Sequence, residues 1–140
     1  MFSKALVPVN DSDLSCKVVE MAAECVEKGI VDKLVLFSVW EADEIDYTKL
    51  HSAEKEAKYK TNAQIVLDKH KLQLNQGYIE AEYVRAGGDP SELILDHVKD
   101  DDYDLIIMGS RKINKVQELV FGSVSDRVTR LSDIPILVVK

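Results

Sequence analysis

Cysteine is scarce in this 140-residue chain, which has only Cys16 and Cys25. They fall nine positions apart on one predicted helix, on opposite faces and about 13 Å apart along its axis. A disulfide needs Cα atoms within about 7 Å, so both are expected to be reduced thiols, as in a reducing compartment. Long apolar runs are also missing. No stretch approaches the roughly 20 residues that span a bilayer, so no membrane partner is expected. Lys4, Pro8 and Asn10 interrupt the opening MFSKALVPVN, which therefore lacks the apolar core of a secretory leader. The expected location is cytoplasmic. Positive charge is in deficit: 18 basic against 25 acidic residues give a net charge of −7. Bulk charge thus argues against binding nucleic acid or anionic membranes.

What is present is an ordinary globular mix, 46% hydrophobic and 31% charged. Such a chain is not intrinsically disordered. Its length suits one domain over residues 1–140, with no repeat, linker or low-complexity segment. The charge is uneven. Residues 1–108 carry 12 basic and 22 acidic side chains, whereas residues 109–140 carry 6 and 3. An acidic body therefore ends in a mildly basic quarter.

Five β-prone runs alternate with four helical patterns. The runs are Lys4–Val9, Lys33–Trp40, Ile79–Arg85, Leu105–Met108 and Ile134–Val139. LVLF and LIIM are continuously apolar, as in parallel strands buried on both faces. The third run alternates and is expected near an edge. The helices are expected over Asp13–Lys28, Leu50–Asn75, the segment beginning at Asp89-Pro90-Ser91-Glu92, and Ser123–Leu131. In the first, Leu14, Val18, Met21, Ala22 and Cys25 form one apolar stripe, and Gly29 follows where a left-handed residue belongs. Ala53, Ala57, Ala63, Val66, Leu67, His70 and Leu74 mark the inner face of the second. Asp89 caps the third, with Pro90 at its first position and Glu92 completing a capping box. Val124, Val128 and Leu131 face inward on the fourth. This alternation implies an α/β fold: a three-layer, doubly wound parallel sheet with helices on both faces.

In such sheets ligands bind beyond the carboxyl ends of the strands, where the strand order reverses. The candidate loops are Asn10–Ser12, Glu41–Lys49, Gly87–Asp89 and Ser110–Phe121. The last opens with glycine at a strand end and closes with Gly-Ser-Val-Ser at a helix start. Backbone N–H groups and two hydroxyls there would form an anion site, with Arg111, Lys112 and Lys115 adding charge. On these residues alone a second reading stands beside it, in which Ser123 only caps the helix and the basic side chains are solvated.

Other patterns carry less. Asp100–Asp104 lacks the glycine and distant glutamate of a calcium loop. His51, His70 and His97 have no metal-ligand spacing. His70 is expected to pack on a helix face. Ser12, Ser123 and Ser125 have no obvious histidine base, so no nucleophile triad and no catalytic residue is assigned. The third strand lacks the aspartate that a phospho-acceptor receiver domain would need.

KALVPVNDSDLS, VRAGGDPSELI and MGSRKINKVQELVFGSVSDRVTRLSDIPILVVK together resemble the universal stress protein family over essentially the whole chain. The resemblance implies five parallel strands in the order 3-2-1-4-5, a stress-response role and an adenine nucleotide, ATP or AMP, between the first and fourth strands. Mg2+ would enter only with the nucleotide. By the resemblance, Pro8, Asn10 and Val39 would line the adenine and ribose pocket. Met108 and Gly109 would pass beneath the nucleotide. Arg111, Lys112, Gly122, Ser123, Val124 and Ser125 would surround the phosphates. The family's nucleotide motif spaces three glycines, of which Gly109 and Gly122 are here and the middle one is Lys112. The family's aspartate after the first strand is Asn10. A lysine forced to a positive φ would cost about 1–2 kcal/mol, while adding a charge beside a phosphate. Asn10 would keep one carbonyl acceptor for a ribose hydroxyl without the charge. Attenuated nucleotide binding is therefore expected. Any ATP hydrolysis would be slow.

The last strand, Ile134–Val139, would leave an open edge. Two copies pairing across a two-fold axis would cover it, and the resemblance implies the same homodimer. A dimeric interaction protein without nucleotide, with Lys112 filling the phosphate site, is the alternative reading, and a weak ATP hydrolase a further one.

Overall fold

The computed structural model describes residues 1–100, 102–113 and 119–140, with backbone alone for 111–113 and 119–121. The elements are β1 (Phe2–Val9), α1 (Asp13–Glu27), β2 (Val31–Trp40), a 3-10 turn (Ala42–Glu44), α2 (Ser52–Gln76), β3 (Glu82–Gly87), α3 (Pro90–Asp100), β4 (Leu105–Gly109), β5 (Arg111–Ile113), β6 (Leu119–Phe121), α4 (Ser123–Leu131) and β7 (Ile136–Val139). The main sheet has the order β3-β2-β1-β4-β7. All its pairings are parallel. Counting only its own five strands, this is the expected 3-2-1-4-5 order.

Period-2 alternation sorts the core into two layers. Ala5, Val7 and Val9 of β1, Leu34 and Leu36 of β2, and Leu105 and Ile107 of β4 face α1 and α2. There they meet Val18, Val19, Ala22 and Cys25 of α1 and Val66, Leu67 and Leu74 of α2. The intervening residues Leu6, Val35, Phe37, Ile106 and Met108 face the other way. They pack on Ile94, Leu95 and Val98 of α3 and Val128 of α4. A strand buried on both faces must be apolar at every position, which is why LVLF and LIIM do not alternate.

Differences from the sequence expectations are local. Met21, Ala53, Ala57 and Leu131 are exposed. On α2 burial begins only at Ala63, so its first turns run past the sheet. β3 starts at Glu82, later than the Ile79 expected, and is an edge strand as expected. The segment expected to be irregular between Ser110 and Phe121 contains an antiparallel pair, with Arg111 opposite Phe121, Lys112 opposite Val120 and Ile113 opposite Leu119. Its β-branched and aromatic residues favour such a ladder. Lys112 therefore has extended backbone, and the condition for a left-handed cost, a positive φ there, is not met. Asp104, read as part of a solvated run, is a tie between strands. Its carboxylate accepts from the main-chain N–H groups of Ser3 at 2.8 Å and Lys4 at 3.0 Å. Burial raises its pKa, but these bonds outweigh that and hold the carboxyl below its ordinary range.

Candidate functional site

β1 and β4 are neighbours, yet their following helices leave on opposite faces of the sheet, so their carboxyl ends open a crevice. The crevice is a cleft of about 700 Å3, part of it open to solvent. Pro8 and Asn10 enter it from β1, Val39 from β2, Met108 and Gly109 from β4, and Val124 and Ser125 from α4. These seven of the expected site residues share one cavity. Gly122 and Ser123 lie at the same end, where α4 begins. The side chains of Arg111 and Lys112, and all of Lys115, lie outside the described residues.

The cleft is apolar in its floor. Leu14 and Val18 of α1, Phe37 of β2 and Ile94 of α3 complete it, so one flat hydrophobic group would fit between the layers. Gly109 makes the floor possible. A Cβ there would stand 2.9 Å from Leu14 Cδ2 and 3.2 Å from Val18 Cγ2, closer than packed carbon atoms tolerate.

Polar groups line the cleft as well, among them Asn10, Ser12, Ser15 and Ser125. The N-cap of α4 is Gly122, which offers no side-chain cap to the first turn. The helix N-terminus thus presents main-chain N–H groups and the positive end of its dipole to the cleft. Ser125 is buried and donates its hydroxyl proton to the Gly109 carbonyl at 2.7 Å. It ties α4 to β4, and in this arrangement its proton points to Gly109 rather than into the cleft. Ser123 is exposed.

Asn10 is also more committed than the sequence implies. Its Oδ1 accepts from the Ser12 main-chain N–H at 3.0 Å and from the Ser12 hydroxyl. A main-chain N–H can only donate, which fixes the oxygen on that side. The carbonyl acceptor expected to meet a ribose hydroxyl is thus used within the loop. What Asn10 offers a ligand is its amide donor. Ser12 in turn caps α1, accepting from Ser15 N–H at 3.2 Å.

Pro90, the first residue of α3, also lines the cleft. Asp89 accepts from the Ser91 hydroxyl at 2.8 Å and from Glu92 N–H at 3.0 Å. The Glu92 carboxylate lies 3.8 Å from Arg127 of α4, and Arg127 also donates to Ser91 Oγ at 3.1 Å. One residue of the basic C-terminal quarter is therefore spent on joining α3 to α4. The bonds from Ser91 and Glu92, opposed by some burial and aided by Arg127, hold the Asp89 carboxyl below its ordinary 3.8.

Sequence reasoning missed Ser15, Leu14, Val18, Phe37, Pro90 and Ile94, which read as ordinary helix and strand residues until the strand order places them. Ser12 and Glu41 were within the candidate loops, and both line the cleft. Ser15, a serine not weighed for a histidine partner in the sequence, has His70 Nε2 3.0 Å from its Oγ. Among the described residues, no three His, Cys, Asp or Glu side chains are grouped to hold a metal, and no helix is long and apolar enough to cross a membrane.

A sequence model of the universal stress protein family matches residues 1–140. The chain belongs to the universal stress protein family. Universal stress protein YxiE of Bacillus subtilis is 30% identical over 148 residues, covering all of both chains. The solved structure of MJ0577, a universal stress protein of Methanocaldococcus jannaschii, is 27% identical with a TM-score of 0.84, over 100% of this chain and 96% of that one. A universal stress protein family protein of Arabidopsis thaliana, solved with AMP bound, has a TM-score of 0.72 and 23% identity, over 99% of this chain and 91% of its own. As a member of this family the chain is a stress-response protein with the family's α/β fold.

Proposed function

We propose that this universal stress protein binds an adenine nucleotide, AMP or ATP, in the cleft between β1 and β4, and acts as a dimeric regulatory protein. One observation carries the reading. An apolar slot lined by Pro8, Val39 and Met108 also reaches Val124 and Ser125 of α4, whose N-cap supplies no side chain to its first turn. An aromatic base fits the slot and a phosphate fits the helix terminus. The AMP bound to the Arabidopsis family member supports the same choice of ligand. Mg2+ would accompany ATP through its phosphates.

Two commitments at the cleft point to attenuated affinity. The Asn10 carbonyl is held by Ser12, and the Ser125 proton by Gly109. Each removes a partner from the ligand, and a net hydrogen bond contributes about 1 kcal/mol, so the pair is worth roughly thirtyfold in affinity. Nucleotide acts as a conformational ligand in this reading, since the cleft carries no assigned catalytic group. Mass spectrometry of the protein as purified tests it: copurified AMP or ATP is the expected result. No nucleotide in the purified protein and no heat on titration would sink the proposal.

A further inference from the structure

His70 is fully buried on α2, yet it is a polar residue among Val66, Leu67 and Leu74. A buried imidazole is tolerated where both ring nitrogens are paired. Here they are. Nδ1 lies 2.9 Å from Gln73 Oε1, and Nε2 lies 3.0 Å from Ser15 Oγ. The directions of these bonds follow from the ends of the chain. Gln73 Nε2 donates to the Cys16 carbonyl at 2.9 Å, and a carbonyl only accepts, so Gln73 presents its oxygen to the ring. His70 Nδ1 must then carry the proton. At the other end the Asn10 main-chain N–H donates to Ser15 Oγ at 3.1 Å. The Ser15 hydroxyl therefore accepts from Asn10 and passes its own proton to the bare His70 Nε2. Every donor and acceptor on this path is used once.

The path has a consequence for the cleft. Asn10 and Ser15 both line it. Among the described residues the Asn10 side chain bonds only forward, to Ser12, so beyond Val9, which pairs with Ser38 in the sheet, the main chain is tied by its bond to Ser15. The position of that rim is thus set from inside the protein, by α2, which packs beside α1 on the same face of the sheet. Serine alone could turn its hydroxyl toward solvent in the cleft. With an acceptor fixed behind it, the hydroxyl keeps its lone pair aimed at Asn10 N–H.

We propose that His70 is a positioning residue: through Ser15 it holds the Asn10 main chain at the rim of the cleft in the shape that receives ligand. The ligand part of this rests on the nucleotide reading above. The role is set apart from simple core filling by its chemistry. It needs an acceptor at the place of Nε2, and Gln supplies one at similar reach whereas Leu fills the volume without it.

The test compares wild type with His70→Leu, His70→Gln and Ser15→Ala by two measurements. The first is amide hydrogen exchange at Asn10 by NMR, without ligand. The second is AMP titration by calorimetry. Exchange at Asn10 is expected to quicken about tenfold or more in Ser15→Ala and His70→Leu, and to stay within about twofold of wild type in His70→Gln. AMP affinity is expected to fall about tenfold in the first two variants and to be retained in His70→Gln. Nitrogen-15 spectra of wild type should show His70 protonated at Nδ1 with a bare Nε2. Unchanged exchange at Asn10 in Ser15→Ala and His70→Leu would overturn the proposal, as would equal losses in the Leu and Gln variants. If His70→Leu does not fold, unchanged exchange in Ser15→Ala still overturns the proposal, and the nitrogen-15 spectrum of His70 must show the bare Nε2 that Ser15 needs; a protonated Nε2 overturns it. If wild type takes no AMP, the nucleotide reading fails on its own, and exchange at Asn10 still decides whether His70 sets the rim.

Discussion

Gly109 shows how one missing side chain makes the cleft. β4 ends there beneath the first turns of α1, and Leu14 rests where a Cβ would project. Adding a methyl must push Leu14 or the strand end. Overpacking of this kind costs about 1–3 kcal/mol. Gly109→Ala is therefore expected to lower unfolding free energy by that amount in urea titration, and to weaken AMP binding at least tenfold as Leu14 moves into the slot. Full stability with unchanged affinity would mean that Leu14 does not form the floor. At this scale the sequence showed which residues were unusual without showing why. Asn10 stood out as a departure from the family's aspartate, but its bond to Ser12 depends on the turn that follows β1. Ser125 stood out as a hydroxyl at a helix start, but its partner, Gly109, is 16 residues away in sequence. Side-chain direction is a tertiary fact, and no periodicity encodes it.

Among the elements, α3 is the one whose start was most legible. Asp-Pro-Ser-Glu is a local signal, and the Asp89 cap forms as the residues predict. The reciprocal half of the box is replaced by the Arg127 contact, because α4 brings a guanidinium within 3.8 Å of Glu92. Removing the cap in Asp89→Ala is expected to cost about 1 kcal/mol at neutral pH, with the ion pairs adding little at so exposed a site. The pH dependence has a definite sign. The folded carboxyl lies below its ordinary 3.8, so its contribution is complete above that value and is lost as pH falls through the lower folded one. Unfolding experiments should show wild type and Asp89→Ala converging as pH falls below the ordinary 3.8 and through the lower folded value. A gap that stays constant with pH would contradict this role. By contrast, the start of α2 was misread. Ala53 and Ala57 match a helical stripe, but no part of the sheet lies under them and they are exposed. Periodicity reports a face; it does not report whether anything is there to cover it.

On the scale of the whole molecule, the fold was the most legible feature, because each strand's composition already carries its place. LVLF and LIIM are apolar at every position since helices cover both sides, and the alternating third strand is at the edge. The charge division also keeps its meaning, with a refinement: Arg127 serves the α3–α4 join, and the side chains of Arg111 and Lys112 fall outside the described residues. The other edge strand, β7, pairs with β4 alone among the described residues. In the proposed dimer two copies of Ile136–Val139 meet across a two-fold axis and cover their open backbone groups. Val138→Lys is expected to convert dimer to monomer in sedimentation velocity, since a charge at each of two facing positions opposes closure. A dimer that persists would place the interface elsewhere. The central claim, that the cleft takes an adenine nucleotide, is tested most directly by titrating AMP and ATP into the wild-type protein by calorimetry. The account predicts saturable one-to-one binding to each protomer, weakened by the commitments of Asn10 and Ser125. No heat with either nucleotide at millimolar concentration would contradict it.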